Sequence, residues 1–285
     1  MPKYERVFIE ITNVCNLACS FCCANKRQKQ FISRELFEKV IDQSVPLVKE
    51  VVFHVLGEPL LHPQLEYFVD YARSAGLSVM ITTNGTLLSP KFANVFAAKK
   101  IRQINISLHA IEQVDNKEEY LKNIFDFVFP LNKNDPDIYI NLRLWNILSE
   151  TNTEVVQGLN SCFNKKIVLP DKLDQFKDDK SYKLMDRIYL HLDTRFVWPD
   201  LSLPVIGEQG FCYGLNSHFG VLVDGTVVPC CLDGGGDIAL GSIMNDDLNN
   251  ILKLPRAKAI IDGFRQRKIK EELCKRCDYR TRFKK

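Results

Sequence analysis

Apolar positions along the chain switch repeatedly between two periods. Short runs rich in β-branched and aromatic residues read as strands: RVFIEIT (6–12), EVVFHVL (50–56), LSVMITT (77–83), RQINISL (102–108), DIYINLRLW (137–145) and RIYLHLD (187–193). Helix-length amphipathic stretches separate them. One runs from about Ser33 to Val48 with Leu36, Phe37, Val40 and Ile41 on one face, and the next follows His62-Pro63, carries Leu65, Phe68, Val69 and Ala72, and stops near Gly76. A third begins with Ser89 as N-cap and Pro90 at the first helical position. This alternation predicts parallel strands joined by crossover helices, an α/β fold whose six units make a partial (β/α)6 TIM-like barrel. In such folds chemistry gathers on the loops after the strands' C-terminal ends. Four loops there stand out: the cysteine-rich loop after the first strand, Gly57-Glu58-Pro59 after the second, Asn84-Gly85 after the third, and His109 after the fourth.

Beyond about residue 200 the pattern changes. HFGVLVDGTVVPCC (218–231) sets two apolar runs around Asp224-Gly225, a hairpin signal with a turn that requires φ > 0. The expected organisation is therefore a core over residues 1–200 and a small α+β module with a β-hairpin over 201–285. The polar stretch PDKLDQFKDDKSYK (170–183) matches no element and reads as a substrate loop or a surface insertion.

With 285 residues, 46% hydrophobic and 26% charged, the chain can bury one good core and a small appended module. No secretory h-region opens it, and no apolar run approaches the roughly 18 residues of a membrane span, so a cytoplasmic location without a membrane partner is expected. Charge is uneven. From Lys253 to Lys285 there are 13 Lys and Arg against 4 Asp and Glu, while the whole chain carries only +3. That end reads either as a solvated helix face or as an attractor of a phosphorylated substrate, an acidic peptide or RNA. No RNA-binding motif supports a nucleic-acid partner.

The ten cysteines change the picture most. Cytosolic thiols are kept reduced, so clustered ones more often bind metal than form disulfides. Cys15, Cys19, Cys22 and Cys23 lie on the first loop; Cys212, Cys230 and Cys231 come late; Cys274 and Cys277 sit near the end. Two thiol sites are implied. Cys162 stands apart and reads as a small buried apolar side chain, while Cys23 and Cys231 take no role.

The spacing C-x-x-x-C-x-x-C of Cys15, Cys19 and Cys22, with Phe21 before the last cysteine and Gly57-Glu58-Pro59 after the next strand, resembles the radical S-adenosylmethionine (SAM) enzymes. The resemblance implies a [4Fe-4S] cluster on Cys15, Cys19 and Cys22 with one iron left open for SAM, whose reductive cleavage gives a 5′-deoxyadenosyl radical. It implies Phe21 beside the adenine, Gly57, Glu58 and Pro59 at the SAM amino group, Asn84 and Ser107 near the ribose, and Arg143 for the SAM carboxylate. Leu56 stands where the family usually has another glycine.

Cys212, Gly225-x-x-x-x-Cys230 and Cys274-x-x-Cys277 are similar to the first half of the SPASM module, in its shortened twitch form. An auxiliary cluster, expected to be [4Fe-4S], would sit on Cys212, Cys230, Cys274 and Cys277; a zinc site is the alternative. Such a cluster suggests a two-electron oxidation, either dehydrogenation of a small hydroxylated molecule or modification of a peptide, with a flavodoxin- or ferredoxin-type electron donor. The short lead before the first strand lowers the expectation of a peptide-recognition domain. Arg195, past the sixth strand, and His109 are the candidate catalytic residues, with His191 also near a strand end. A non-catalytic structural metal protein is the reading from another class; it predicts unfolding on metal loss and no SAM cleavage.

Overall fold

The computed structural model describes residues 3–23, 26–147, 149, 152–169 and 180–283. In chain order its elements are β1 (Arg6–Ile9), α1 (Arg34–Ser44), β2 (Glu50–Phe53), α2 (Leu65–Ser74), β3 (Ser78–Thr83), α3 (Pro90–Lys99), β4 (Gln103–Ser107), α4 (Lys117–Asn134), β5 (Tyr139–Leu144), α5 (Asn152–Phe163), β6 (Ser181–Met185), β7 (Ile188–Leu192), β8 (His218–Val221), β9 (Thr226–Val228), β10 (Gly241–Ser242), α6 (Leu248–Ile251), α7 (Pro255–Arg265) and α8 (Glu272–Lys275). All six expected strands form, as β1 to β5 and β7. Residues 170–179 of the polar stretch lie outside the described residues, and 181–183 open β6, a strand the sequence pattern does not announce. No helix among the described residues is long and apolar enough to cross a membrane.

Contacts divide the chain into two units: Met1–Asn16, Ser20–Val79 and Phe196–Lys285 form one, Leu17–Cys19 with Met80–Arg195 the other. In the first, the strands run β10-β9-β8-β1-β2. β1 is parallel to both β2 and β8, with Phe8 in register with Val52 on one side and Gly220 on the other. The expected hairpin is present as antiparallel β8 and β9, turning at Gly225 with φ +86°. α1 starts where Ser33 Oγ accepts a hydrogen bond from the Leu36 N–H at 3.2 Å. It buries Phe37, Val40 and Ile41, and the Phe37 ring stacks on Phe68 of α2 at 3.9 Å between centroids. Each of these buried rings contributes roughly 1.5–3 kcal/mol of hydrophobic stabilisation.

In the second unit, β3, β4, β5 and β7 are parallel and β6 adds an antiparallel edge. Period-two alternation splits this sheet into two unlike faces. Ile81, Ile104, Ile106, Ile140, Leu142, Leu144, Ile188 and Leu190 are fully buried. The opposite face carries Thr82, Asn105 and Asn141 in one row and Ser107, Arg143 and His191 in the next. A parallel strand buried on both faces has no need of such polar rows. Each unit's sheet keeps open edges and does not close. Ser89 precedes α3 as expected, although its side chain makes no capping bond.

Candidate functional sites

The first cysteine loop leaves β1 and is closed at its base by two polar side chains. Thr12 Oγ1 donates to the Gln30 carbonyl at 2.9 Å, Asn13 Nδ2 donates to the Gln28 carbonyl at 2.9 Å, and Asn13 Oδ1 accepts from the Gln30 N–H at 2.8 Å. The Gly-Glu-Pro turn holds the same stem. The Glu58 N–H donates to the Val14 carbonyl at 2.8 Å, and a Cβ on Gly57 would lie 2.3 Å from the Thr12 carbonyl oxygen. Only glycine fits there, and its φ of +76° points the same way. Strain is stored just before it, where Val55 has φ +108°. Glu58 Oε1 accepts from the Leu60 N–H at 3.0 Å, so this buried carboxylate fixes the turn. Leu56, the departure from the usual glycine, is accommodated by Gly234, whose Cβ would lie 3.0 Å from Leu56 Cγ.

On this loop Cys22 is exposed, whereas Cys15, Cys19 and Phe21 are half-buried. A hydrogen bond from Cys23 lowers the Cys22 thiol to about 7, a value at which thiolate is well populated near neutral pH. Cys23 is pushed up correspondingly, by that bond and by burial. It packs, with Cys231, against a small apolar cluster of Val55, Leu56, Leu222 and Val228.

At the strand ends of the second unit, Tyr120 of α4 ties two predicted positions together. Its hydroxyl donates to the Asn84 carbonyl at 2.7 Å and approaches the Ser107 carbonyl at 3.3 Å. Asn84 Oδ1 accepts from the Thr86 N–H at 2.9 Å, an Asx turn that shapes the loop. Ser107, Arg143 and His191 are in register on adjacent strands. The Arg143 guanidinium lies 5.2 Å from the Trp145 ring centre, and the His109 Nδ1–H donates to the Arg143 carbonyl at 3.2 Å. Burial depresses His109 to about 4, so its ring is neutral. Arg195 is exposed and ion-paired with Glu112. Burial works against the Glu112 carboxylate, but hydrogen bonds from Ser149 and Asn146 and the Arg195 charge outweigh it and hold Glu112 below the usual carboxylate range.

The second thiol set lies wholly within the first unit. Cys212, Cys230, Cys274 and Cys277 line one cavity of about 380 Å³ together with Cys231, Asp233 and Arg280. Burial raises all four thiols: Cys212 to about 11, and Cys230 and Cys274 further, because each also feels neighbouring thiols. Among the described residues no three Cys, His, Asp or Glu side chains stand at the spacing of a single bound ion. Four soft, half-buried donors, mutually repelling once ionised, fit a site that takes positive metal charge.

Comparison with known proteins agrees with both halves. Residues 9–128 match the Radical SAM superfamily, and residues 212–278 match the SPASM iron-sulfur cluster-binding domain. The chain belongs to the radical SAM superfamily and carries a SPASM module. SAM and [4Fe-4S] clusters are the cofactors of these two domains. Among curated relatives, the Fe-coproporphyrin III synthase of Methanosarcina barkeri is 29% identical over 208 residues, 70% of this chain and 48% of that protein. Mycofactocin maturase MftC of Mycobacterium tuberculosis is 35% identical over 104 residues, 35% of this chain and 26% of that one. This radical SAM chain thus spans about half or less of the length of these curated relatives. Among solved structures, BtrN in complex with AdoMet and 2-DOIA aligns with TM-score 0.63 at 16% identity, covering 98% of this chain and 94% of BtrN. SuiB of Streptococcus suis bound to S-adenosylmethionine aligns with TM-score 0.62 at 15% identity, covering 92% and 68%. At such identities these likenesses concern the fold.

Several residues at this radical SAM chain's sites escape a reading by motif. Glu10, fully buried on the chain continuing β1, takes a two-pronged ion pair from Arg27 Nη2 at 2.6 and 2.7 Å and accepts from the Val223 N–H at 3.0 Å. Arg27 Nε also donates to the Gly234 carbonyl at 2.8 Å, so one pair joins the first cysteine region to the SPASM hairpin turn at Val223 and to the segment after its second strand. The signal was present as a charge inside an apolar strand run. Asp233, pushed up to about 6 by burial, accepts from the Asp237 and Ile238 amides. Cys162 corrects an expectation: it is exposed, not buried.

Proposed function

We propose that this radical SAM enzyme holds its SAM-binding [4Fe-4S] cluster on Cys15, Cys19 and Cys22 and an auxiliary [4Fe-4S] cluster on Cys212, Cys230, Cys274 and Cys277, and that it oxidises a small hydroxylated molecule by two electrons. Residues 1–200 act as the radical-generating core and 201–285 as the auxiliary module, in the cytoplasm, with a flavodoxin- or ferredoxin-type donor. The observation that carries the reading is the cavity lined by four half-buried thiols from three separate segments. Such a complete protein ligand set suits an electron acceptor better than a site that binds substrate.

SAM and its cluster, when bound, supply a 5′-deoxyadenosyl radical that takes a hydrogen atom from the substrate carbon. The chain's own residues bind and orient. Gly57, Glu58 and Pro59 present the turn to the SAM amino group, Asn84 and Ser107 serve the ribose, Phe21 the adenine, and Arg143 the carboxylate, a planar fork meeting a planar anion. Alcohol oxidation also releases a proton. Arg195, engaged by Glu112, orients substrate rather than accepting a proton, and the buried His109 braces Arg143.

His191 is the better proton acceptor, and a chain of side-chain hydrogen bonds sets its tautomer. Asn105 Nδ2 donates to Thr82 Oγ1 at 3.2 Å, and Asn105 Oδ1 accepts from Asn141 Nδ2 at 3.1 Å. Asn141 therefore turns its Oδ1 to His191 Nε2 at 3.1 Å, which must carry the proton. Nδ1 keeps the lone pair, and burial with the nearby Arg143 charge keeps the ring neutral.

The test begins with anaerobic reconstitution. About eight irons per chain, and 5′-deoxyadenosine released with reductant and SAM, are expected, with release rising on addition of polyols or amino sugars. A peptide-modifying reaction is the second reading, favoured by the 35% identity to MftC and by the SuiB-like fold. Stimulation by peptides and not by hydroxylated small molecules would select it. Bound metal with no SAM cleavage under any reductant would leave a structural metal protein.

A further inference from the structure

Arg280 is among the most basic-looking and least accessible residues of the C-terminal end. It belongs to the short 3-10 turn Tyr279–Arg282 that follows the last cysteine, and it is only 7% exposed. Its guanidinium makes three hydrogen bonds, all to backbone carbonyls: Nε to Cys274 at 2.8 Å, Nη1 to Gln209 at 2.9 Å and Nη2 to Gly207 at 2.6 Å. Space is kept for it by Gly210, where an added Cβ would come within 2.7 Å of Nη1. Among the described residues no carboxylate pairs with it.

Carbonyl dipoles solvate a buried cation but leave its charge uncompensated, and buried charges are costly unless paired. Carboxylates stand around the cavity as well, Glu5 and Asp233 in its lining, but among the described residues none is ion-paired with Arg280, whose side chain faces the space that the four thiols share. Arg280 lines their cavity, and its Nε–H is bonded to the backbone carbonyl of one of the four, Cys274. A four-iron cluster on four thiolates is net negative, and each electron added makes it more so. A fixed cation beside it stabilises the reduced state more than the oxidised one. Building on the reading that these four cysteines hold a cluster, we propose that Arg280 is the counter-ion of the auxiliary cluster and raises its reduction potential, making it the stronger electron acceptor. Arg280 is thus a positioning and potential-setting residue that need not touch substrate.

The test isolates the auxiliary site in the full chain by changing Cys15, Cys19 and Cys22 to Ala, then compares Arg280, R280K and R280Q after anaerobic reconstitution. Iron content and a redox titration followed by electron paramagnetic resonance are the readouts. R280K, which keeps the charge, is expected to hold iron with a midpoint near that of the parent, and R280Q to hold iron with a lower midpoint. Iron kept by R280K and lost by R280Q supports the counter-ion role as well, because charge alone separates the two. The proposal is overturned if R280Q titrates like the parent, if R280K falls as far as R280Q, or if both lose iron, since each outcome leaves only a staple between Cys274 and the Gly207–Gln209 strand of chain. A parent that binds no cluster at all would instead remove the auxiliary-cluster reading beneath it.

Discussion

The two thiol regions solve opposite problems. The first is a surface loop anchored at its stem, where Cys22 is exposed and its thiol is lowered to about 7. The second is a cavity in which every thiol is raised and a guanidinium is buried without a carboxylate partner among the described residues. A loop with accessible, partly ionised sulfur suits a cluster that must leave one iron open to an exchanging ligand. A cavity walled by four thiols suits one that exchanges only electrons. The sets differ at Cys22, which is exposed where every other proposed ligand is half-buried, and in the number of thiols each offers.

The largest expected effects should fall on the two regions differently. Cys22→Ala is expected to abolish 5′-deoxyadenosine formation while leaving the auxiliary iron, about half the total, in place. Cys274→Ala should do the reverse, removing about half the iron while leaving SAM cleavage without substrate within a few-fold of the parent. Iron analysis with a 5′-deoxyadenosine assay on both variants checks this, and equal loss of cleavage in both would break the comparison.

Gly57→Ala comes next. The added Cβ meets the Thr12 carbonyl at 2.3 Å, so either the turn or the stem of the cysteine loop must move. Backbone strain alone costs about 1–3 kcal/mol. A fall of at least about tenfold in SAM cleavage is expected, with the auxiliary iron retained; SAM binding measured by equilibrium dialysis would show whether affinity fell with it.

How much of this was readable in advance follows from range along the chain. Cys15, Cys19 and Cys22 are close in sequence, and Ser33, Pro90 and Gly225 act on their immediate neighbours, so spacing alone exposes them. The pairing of β8 with β1 joins residues more than 200 positions apart and is set by which edge is free, which no local pattern records. The bonds joining Glu10 to Val223 and Arg27 to Gly234, and those of Arg280 to Gly207 and Gln209, escape for the same reason. In sequence, Arg280 is one more cation in a basic run; only packing shows that Gly207, Gln209 and Cys274 enclose it.

A smaller, pH-dependent effect should come from the second unit. His109 titrates near 4 because it is buried, whereas in the unfolded chain it titrates near 6.5. Its folded value is depressed, so the unfolded state binds the proton first as pH falls. Stability is present above about 6.5 and is lost toward 4, by on the order of 3 kcal/mol in total. Urea unfolding of the apoprotein at several pH values should show this slope, reduced in His109→Gln. An unchanged slope would mean that other groups carry the pH dependence.

The smallest effect belongs to the cysteine outside both regions. On α5 the buried stripe is Val155, Val156, Leu159 and Phe163, and Cys162 stands at its rim, over the groove between α4 and α5 lined by Leu121 and Phe125. An apolar residue three positions beyond Leu159 reads as core, but the stripe continues through Phe163 instead, and the Cys162 thiol is left at the surface. Cys162→Ser replaces one small exposed side chain by another, so a stability change within about 0.5 kcal/mol is expected, with iron content and SAM cleavage at parent values. Loss of iron in this variant would give a cysteine outside both regions a role and erase the contrast between loop and cavity; full retention leaves the division of labour with those two regions.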